Sequence, residues 1–252
     1  MATLLAGALA TLVFCAPGYP GAAGDAQPFV DEFAAAAAAS AGWPAGSLAA
    51  VYDPTEEGGI AKLGSSEAVL AFVPYPFYVE HAASLHLTPL AQADVTGTGT
   101  QERWSLVAKS GAVSGPPSLA GYTVLSVAGY APDFVRHSAL QAWALPADVK
   151  IESTGQILSA LRRVASGEKV AALLDQTQAA SLPTLPFAKQ IETVAQSAPL
   201  PVALIVAVDS RLPAARVRAF QAGLLKMGHD AHAADTLSSL RLRGFTQPRL
   251  PQ

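Results

Sequence analysis

The chain has 252 residues, 51% of them hydrophobic and 14% charged, with a formal net charge of −3 and a mean hydropathy of +0.31. That length and apolar content support one large or two medium domains with a sizeable core, and the charge supplies no basic field for a phosphate backbone, which excludes nucleic acid as a partner. The single cysteine, Cys15, excludes an internal disulfide, and no apolar stretch reaches the ~18 residues needed to span a bilayer.

In chain order, residues 1–10 read as the remnant of an export signal or a replaced start. Ala8-Leu9-Ala10 has the small-residue cleavage pattern, but no Lys or Arg precedes the apolar run. Phe14 stands directly before Cys15, where a lipidated cysteine needs a small residue, so Thr11–Ala16 reads as a buried strand. A helix follows near Gln27–Ser40, whose alanine run has high helix propensity. The strand SLAAVY, a short helix after Glu56, the strand AVLAFV, a helix near Phe77–Leu85 and the strands LTPLAQA and RWSLVAK come next. GAVSGPPSLAG reads as a turn-rich joint. Beyond it the alternation restarts with YTVLSV, a helix near Asp133–Leu145, VKIEST, a helix Gly155–Ser166 and KVAALL. After LPTLPF and IETVAQS, the strand PVALIVAV leads into two last helices near Pro213–Met227 and Ala231–Leu242.

Strands alternating with helices imply βαβ units and parallel sheets covered on both faces. Two such series imply two α/β lobes, each a mainly parallel sheet. The expected organisation is lobe 1 over 11–98, lobe 2 over 99–208 with hinge crossings near 102–109 and 200–208, and C-terminal helices over 209–252 returning towards lobe 1.

No catalytic or metal motif emerges: there is no G-x-S-x-G elbow, P-loop, G-x-G-x-x-G, H-E-x-x-H or C-x-x-C. His81 and His86 would diverge on a helix, and His229 and His232 have only Asp230 and Asp235 beside them, so neither a metal nor a cofactor is expected. The informative pattern is aromatic. Five of the six tyrosines follow apolar runs at strand ends: Tyr19, Tyr52, Tyr75, Tyr78 and Tyr130. Ligands of open α/β sheets bind beyond the carboxyl ends of strands, and ligand sites are concave, largely aromatic and carry few polar anchors. With Gly129 beside Tyr130, and Asp175 and Gln176 ending KVAALL, these residues form a candidate ligand-binding set, although Asp175 also suits a helix cap.

PPSLAGYTVLSVAGYAPDFVRH, SALRRVASGEKVAALLDQTQ, APLPVALIVAVDSRLPAARVRAFQAGLLKM and VPYPFYVEHA resemble segments of the phosphonate-type solute-binding proteins of ABC transporters, a likeness that covers most of Ala68–Phe245. The resemblance implies the type II periplasmic binding protein fold, a periplasmic monomer that closes two lobes over a small molecule, and a membrane transporter component as partner. It matches Tyr19 to the loop after the first strand, Tyr75 to a first-lobe aromatic contact, the Gly129-Tyr130 region to an anion-binding helix start and Asp175 to an acidic ligand contact. The departure is at Ala128-Gly129-Tyr130-Ala131-Pro132, where the family places Ser/Thr hydroxyls that hold an oxyanion. The expected cargo is therefore a weakly polar, lipid-like organic ligand bridging Tyr19, Tyr52 and Tyr75 on one side and Tyr130, Asp175 and Gln176 on the other. Alternatives are a phosphonate or oxyanion receptor, an enzyme using Asp175 as general acid or base, and a ligand-sensing module.

Overall fold

A computed structural model describes residues 10–18 and 23–251. The chain forms β1 (Ala10–Cys15), α1 (Ala23–Ser40), β2 (Leu48–Asp53), α2 (Glu56–Leu63), β3 (Ala68–Pro74), α3 (Tyr75–His81) and β4 (Leu87–Val95). It then crosses through β5 (Gln101–Glu102) into β6 (Ser105–Lys109), β7 (Thr123–Ser126), α4 (Pro132–Phe134), β8 (Lys150–Ser153), α5 (Ile157–Ser166), β9 (Val170–Leu174), α6 (Gln176–Ser181) and β10 (Ile191–Gln196). It returns through β11 (Leu200–Pro201) to β12 (Ala203–Val208), α7 (Ala214–Met227), α8 (Ala234–Ser239) and β13 (Leu242–Thr246).

The first lobe is built on a six-stranded sheet in the order β13-β4-β12-β3-β1-β2, and the second on a five-stranded sheet in the order β10-β6-β9-β7-β8. Each contains a parallel trio, β2-β1-β3 and β8-β7-β9, generated by the βαβ connections. The remaining pairings are antiparallel, so the sheets are mixed rather than mainly parallel. The physical reason is that a strand entering from the opposite lobe, such as β12, runs against the trio it joins. β12 and β9 read as uninterrupted apolar runs because they are inner strands buried on both faces.

The crossing is the two-residue antiparallel ladder β5–β11, with Leu200 opposite Glu102 and Pro201 opposite Gln101. Ser105–Lys109 and Ala203–Val208, expected as crossings, are regular strands of the second and first sheets respectively. Beside the ladder, Ser197 Oγ accepts from the Trp104 N–H at 2.9 Å, and Arg103 Nη1 donates to the Ser197 carbonyl at 2.7 Å.

Two further differences concern helices. The helix expected over 133–145 is a single α turn that passes into a π turn, Val135–Ala139, and a 3₁₀ turn, Gln141–Trp143, which ends with Ala144 in the left-handed region at φ 40°. The last expected helix stops at Ser239, and residues from Leu242 form an edge strand on β4. Arg241 and Arg243 flank Leu242, hiding the strand in the sequence.

Helix α1 buries Val30, Phe33, Ala34, Ala37 and Ala38, the i, i+3, i+4, i+7, i+8 spacing of one helical face. Its alanines let α7 approach so closely that a Cβ on Gly223 would lie 2.7 Å from the backbone of Ser40 and Ala41. Gly223→Val should therefore destabilise the protein by about 1–3 kcal/mol through overpacking. Urea unfolding measures this, and unchanged stability would show that α1 and α7 can separate at no cost.

Candidate functional site

The parallel trio of the first sheet sets out an aromatic row. Phe14 on β1 is in register with Tyr52 on β2 and with Phe72 on β3. Phe14 and Phe72 meet edge to face at 5.3 Å, and Phe33 of α1 packs behind Phe14 at 5.4 Å. The row lines a cavity of about 540 Å³ between the lobes, at the carboxyl ends of β1–β3. Glu102 and Val202 line it from the crossing, Asp175, Thr177 and Gln178 from the start of α6, and Thr96, Thr98, Leu240 and Arg241 from the opposite rim.

Two buried carboxyl groups line this cavity, and Arg241 lines its rim. Glu102 is 5% exposed and accepts from the Gln176 backbone N–H. Burial, together with the nearby Asp175, pushes its carboxyl up to about 8. Asp175 is equally buried and is also raised by burial, against hydrogen bonds from the Gln178 and Thr177 N–H groups. Its Oδ1 accepts from Gln178 N at 2.8 Å while Gln178 Oε1 accepts from Asp175 N at 3.2 Å, a reciprocal cap for α6. Among the described residues no Lys, Arg or His forms an ion pair with either carboxylate. Cys15 also lines the cavity, but burial, then Asp53 and Glu56, push its thiol up to about 12, and Sγ donates to the Thr55 carbonyl at 3.6 Å. It is a neutral packing group.

Of the residues singled out in the sequence, the structure brings Tyr52 and Asp175 to this cavity. Asp175 caps α6 and lines the cavity. Gln176 contributes its backbone N–H to Glu102 and does not line the cavity. Tyr75 is buried, stacks on Tyr78 at 6.1 Å and meets Phe134 edge to face at 6.1 Å, so Tyr75 and Tyr78 belong to the core that runs between the lobes. Tyr130 is half-buried against the same core. Gly129 is a packing glycine: a Cβ there would lie 2.1 Å from the Glu152 carbonyl oxygen. Tyr19 lies outside the described residues. Glu102, Phe14 and Phe72 were not anticipated. The one available signal was an acid, Glu102, directly before the run RWSLVAK.

The turn before α4 is closed by its own groups. Ser126 Oγ donates to the Leu173 carbonyl and accepts from Ala128 N, while Gly129 N and Ala131 N donate to the Ser126 and Ala128 carbonyls. Pro132 has no N–H, and Asp133 N donates to Glu80 Oε2 of the other lobe at 3.0 Å.

Residues 60–250 match the family model described as "ABC transporter, phosphonate, periplasmic substrate-binding protein". The chain belongs to that family. It is accordingly a periplasmic solute-binding component of an ABC transporter, with a small-molecule ligand and a membrane transporter partner, and the family is not one of enzymes. The fold agrees. The Xanthomonas citri protein XAC2383 bound to chloride ion superposes with a TM-score of 0.70 at 16% identity, over 96% of this chain and 92% of that one. The binding protein component of an ABC phosphonate transporter PA3383 from Pseudomonas aeruginosa gives 0.62 at 14% identity, over 95% and 82%. PhnD1 from Prochlorococcus marinus in complex with methylphosphonate gives 0.57 at 11% identity, over 95% and 93%. No curated protein sequence matches the chain.

The buried Glu102 of the receptor has a pH consequence. Its folded value lies above the ordinary 4.5, so the folded protein holds a proton that the unfolded chain has released. The stabilisation is complete below about 4.5 and is lost as pH rises through about 8. The melting temperature should fall across that window, and Glu102→Gln should flatten the fall. A wild-type melting temperature that is level across the window would contradict the buried, protonated carboxyl.

Proposed function

We propose that the receptor captures a small phosphonate-class anion that also carries an ammonium group, and that the ammonium lies over the Phe14–Phe72–Tyr52 row between Glu102 and Asp175. The observation that carries this reading is the pairing of two buried carboxyls, neither in an ion pair among the described residues, with an aromatic floor in one interlobe cavity. Aromatic faces attract cations through their quadrupole, and the attraction grows when water is excluded. A bound ammonium would also resolve the burial of the two acids, because a paired charge costs far less than an isolated one. The phosphonate class comes from the family and from neighbours such as the methylphosphonate-bound PhnD1. Arg241 and the hydroxyls of Thr96, Thr98 and Thr177 line the same cavity and suit the anionic end. The lipid-like cargo expected from wall composition gains no support from the family and is set aside, because the same apolar rings serve a cation as readily as an alkyl chain.

Isothermal titration calorimetry with 2-aminoethylphosphonate and methylphosphonate tests the reading. The aminophosphonate should bind more tightly, and Glu102→Gln should weaken it roughly tenfold to a hundredfold, the value of one hydrogen bond to a charged group, while leaving methylphosphonate nearly unaffected. Since Glu102 is raised to about 8, binding of the ammonium should expel its proton. The measured enthalpy should therefore depend on the ionisation enthalpy of the buffer near neutral pH. Equal affinities for the two compounds, or a variant indistinguishable from wild type, would refute the proposal.

A further inference from the structure

We infer that the protein's own side chains clasp the two lobes across the half of the cleft opposite the cavity, with the Glu80 carboxylate as the pin, so that closure needs no ligand. The inference concerns closure alone and is independent of the ligand proposed above.

Three contacts carry it, and each joins the lobes directly. Glu80 on α3 of the first lobe places Oε2 3.0 Å from the Asp133 N–H at the start of α4 in the second, and it also accepts from the Phe134 N–H. With Pro132 lacking a donor, these are the first two N–H groups that α4 offers, and Glu80 takes both. Behind them, Phe134 is fully buried between Tyr75 of the first lobe and Trp104, with ring centroids 6.1 and 5.2 Å away. At the turn after β1, a Cβ on Gly18 would lie 2.2 Å from the Val127 carbonyl oxygen of the second lobe, and the residue has φ +83°. Only glycine allows the two backbones to come so close.

The contacts differ in kind, which makes the closed arrangement specific. The Tyr75–Phe134–Trp104 packing removes apolar surface from water, which favours closure without directing it. The carboxylate on two backbone N–H groups is directional and charge-assisted, so it fixes how the lobes meet. Opening would return a partly buried carboxylate and two amide donors to water and expose three aromatic rings at once. A ligand of the open form would have to compete with these contacts, and an external oxyanion would reach the α4 start only by displacing Glu80.

Small-angle X-ray scattering of the purified protein without added solute tests the clasp. Wild type should match the closed arrangement, with a radius of gyration near the ~18 Å of a compact chain of this length. Glu80→Ala should expand it by on the order of 1 Å as the lobes part, while circular dichroism stays native. Gly18→Ala, which keeps Glu80 and wedges the other contact, should expand it as well. The exposed Glu57→Ala on α2 should leave the profile unchanged. Expanded scattering from wild type, or wild-type profiles from both Glu80→Ala and Gly18→Ala, would overturn the inference. Neither result depends on which solute the cavity accepts.

Discussion

The antiparallel pairing of Gln101–Glu102 with Leu200–Pro201 is the constraint on which the arrangement rests. Two residues from each crossing carry the chain from one sheet to the other and back, so the lobes are linked by a ladder too short to dictate their angle. Side chains must supply the remainder. Trp104 emerges from the ladder directly into the packing around Phe134, and Ser197 ties the two crossings through Trp104 N. Glu102 occupies the ladder itself, so an acid that lines the cavity is anchored by the most constrained backbone between the lobes.

This anchoring divides the cleft. On one side the turn after β1 and helix α3 meet the turn after β7 and helix α4, and the core is continuous from Val73 and Tyr75 to Ala131 and Phe134. On the other side the start of α6 faces the Phe14–Tyr52–Phe72 row across open volume. The same parallel trio of strands serves both. Its carboxyl ends supply aromatic rings to the cavity and, through β3, the helix that presses Tyr75 against the second lobe.

Much of the fold was legible because its signals are local. Apolar runs such as PVALIVAV and KVAALL mark inner strands, and the alanine face of α1 marks a packed helix. The failures follow from what is non-local. β13 went unread because Leu242 and Phe245 are buried only by pairing with β4, while Arg241 and Arg243 made the segment resemble an exposed helix end. The α4 region was read as a full helix because periodicity carries no mark of a π turn. Of the strand-end residues singled out in the sequence, Asp175 and Tyr52 line the cavity. Tyr75, Tyr78 and Gly129 satisfied the same rule and lie outside that lining, since a strand end can point into an interlobe core as readily as into a cavity. Glu102 was missed because its environment comes from three segments far apart in the chain.

Cys15 illustrates what burial confers beyond packing. Its thiol is held neutral, with an ionisation near 12, and disulfide exchange and oxidation proceed through the thiolate. In an oxidising compartment a lone accessible sulfhydryl invites mixed disulfides and covalent dimers. Buried at the end of β1 and held as the thiol, this one offers little thiolate for such exchange.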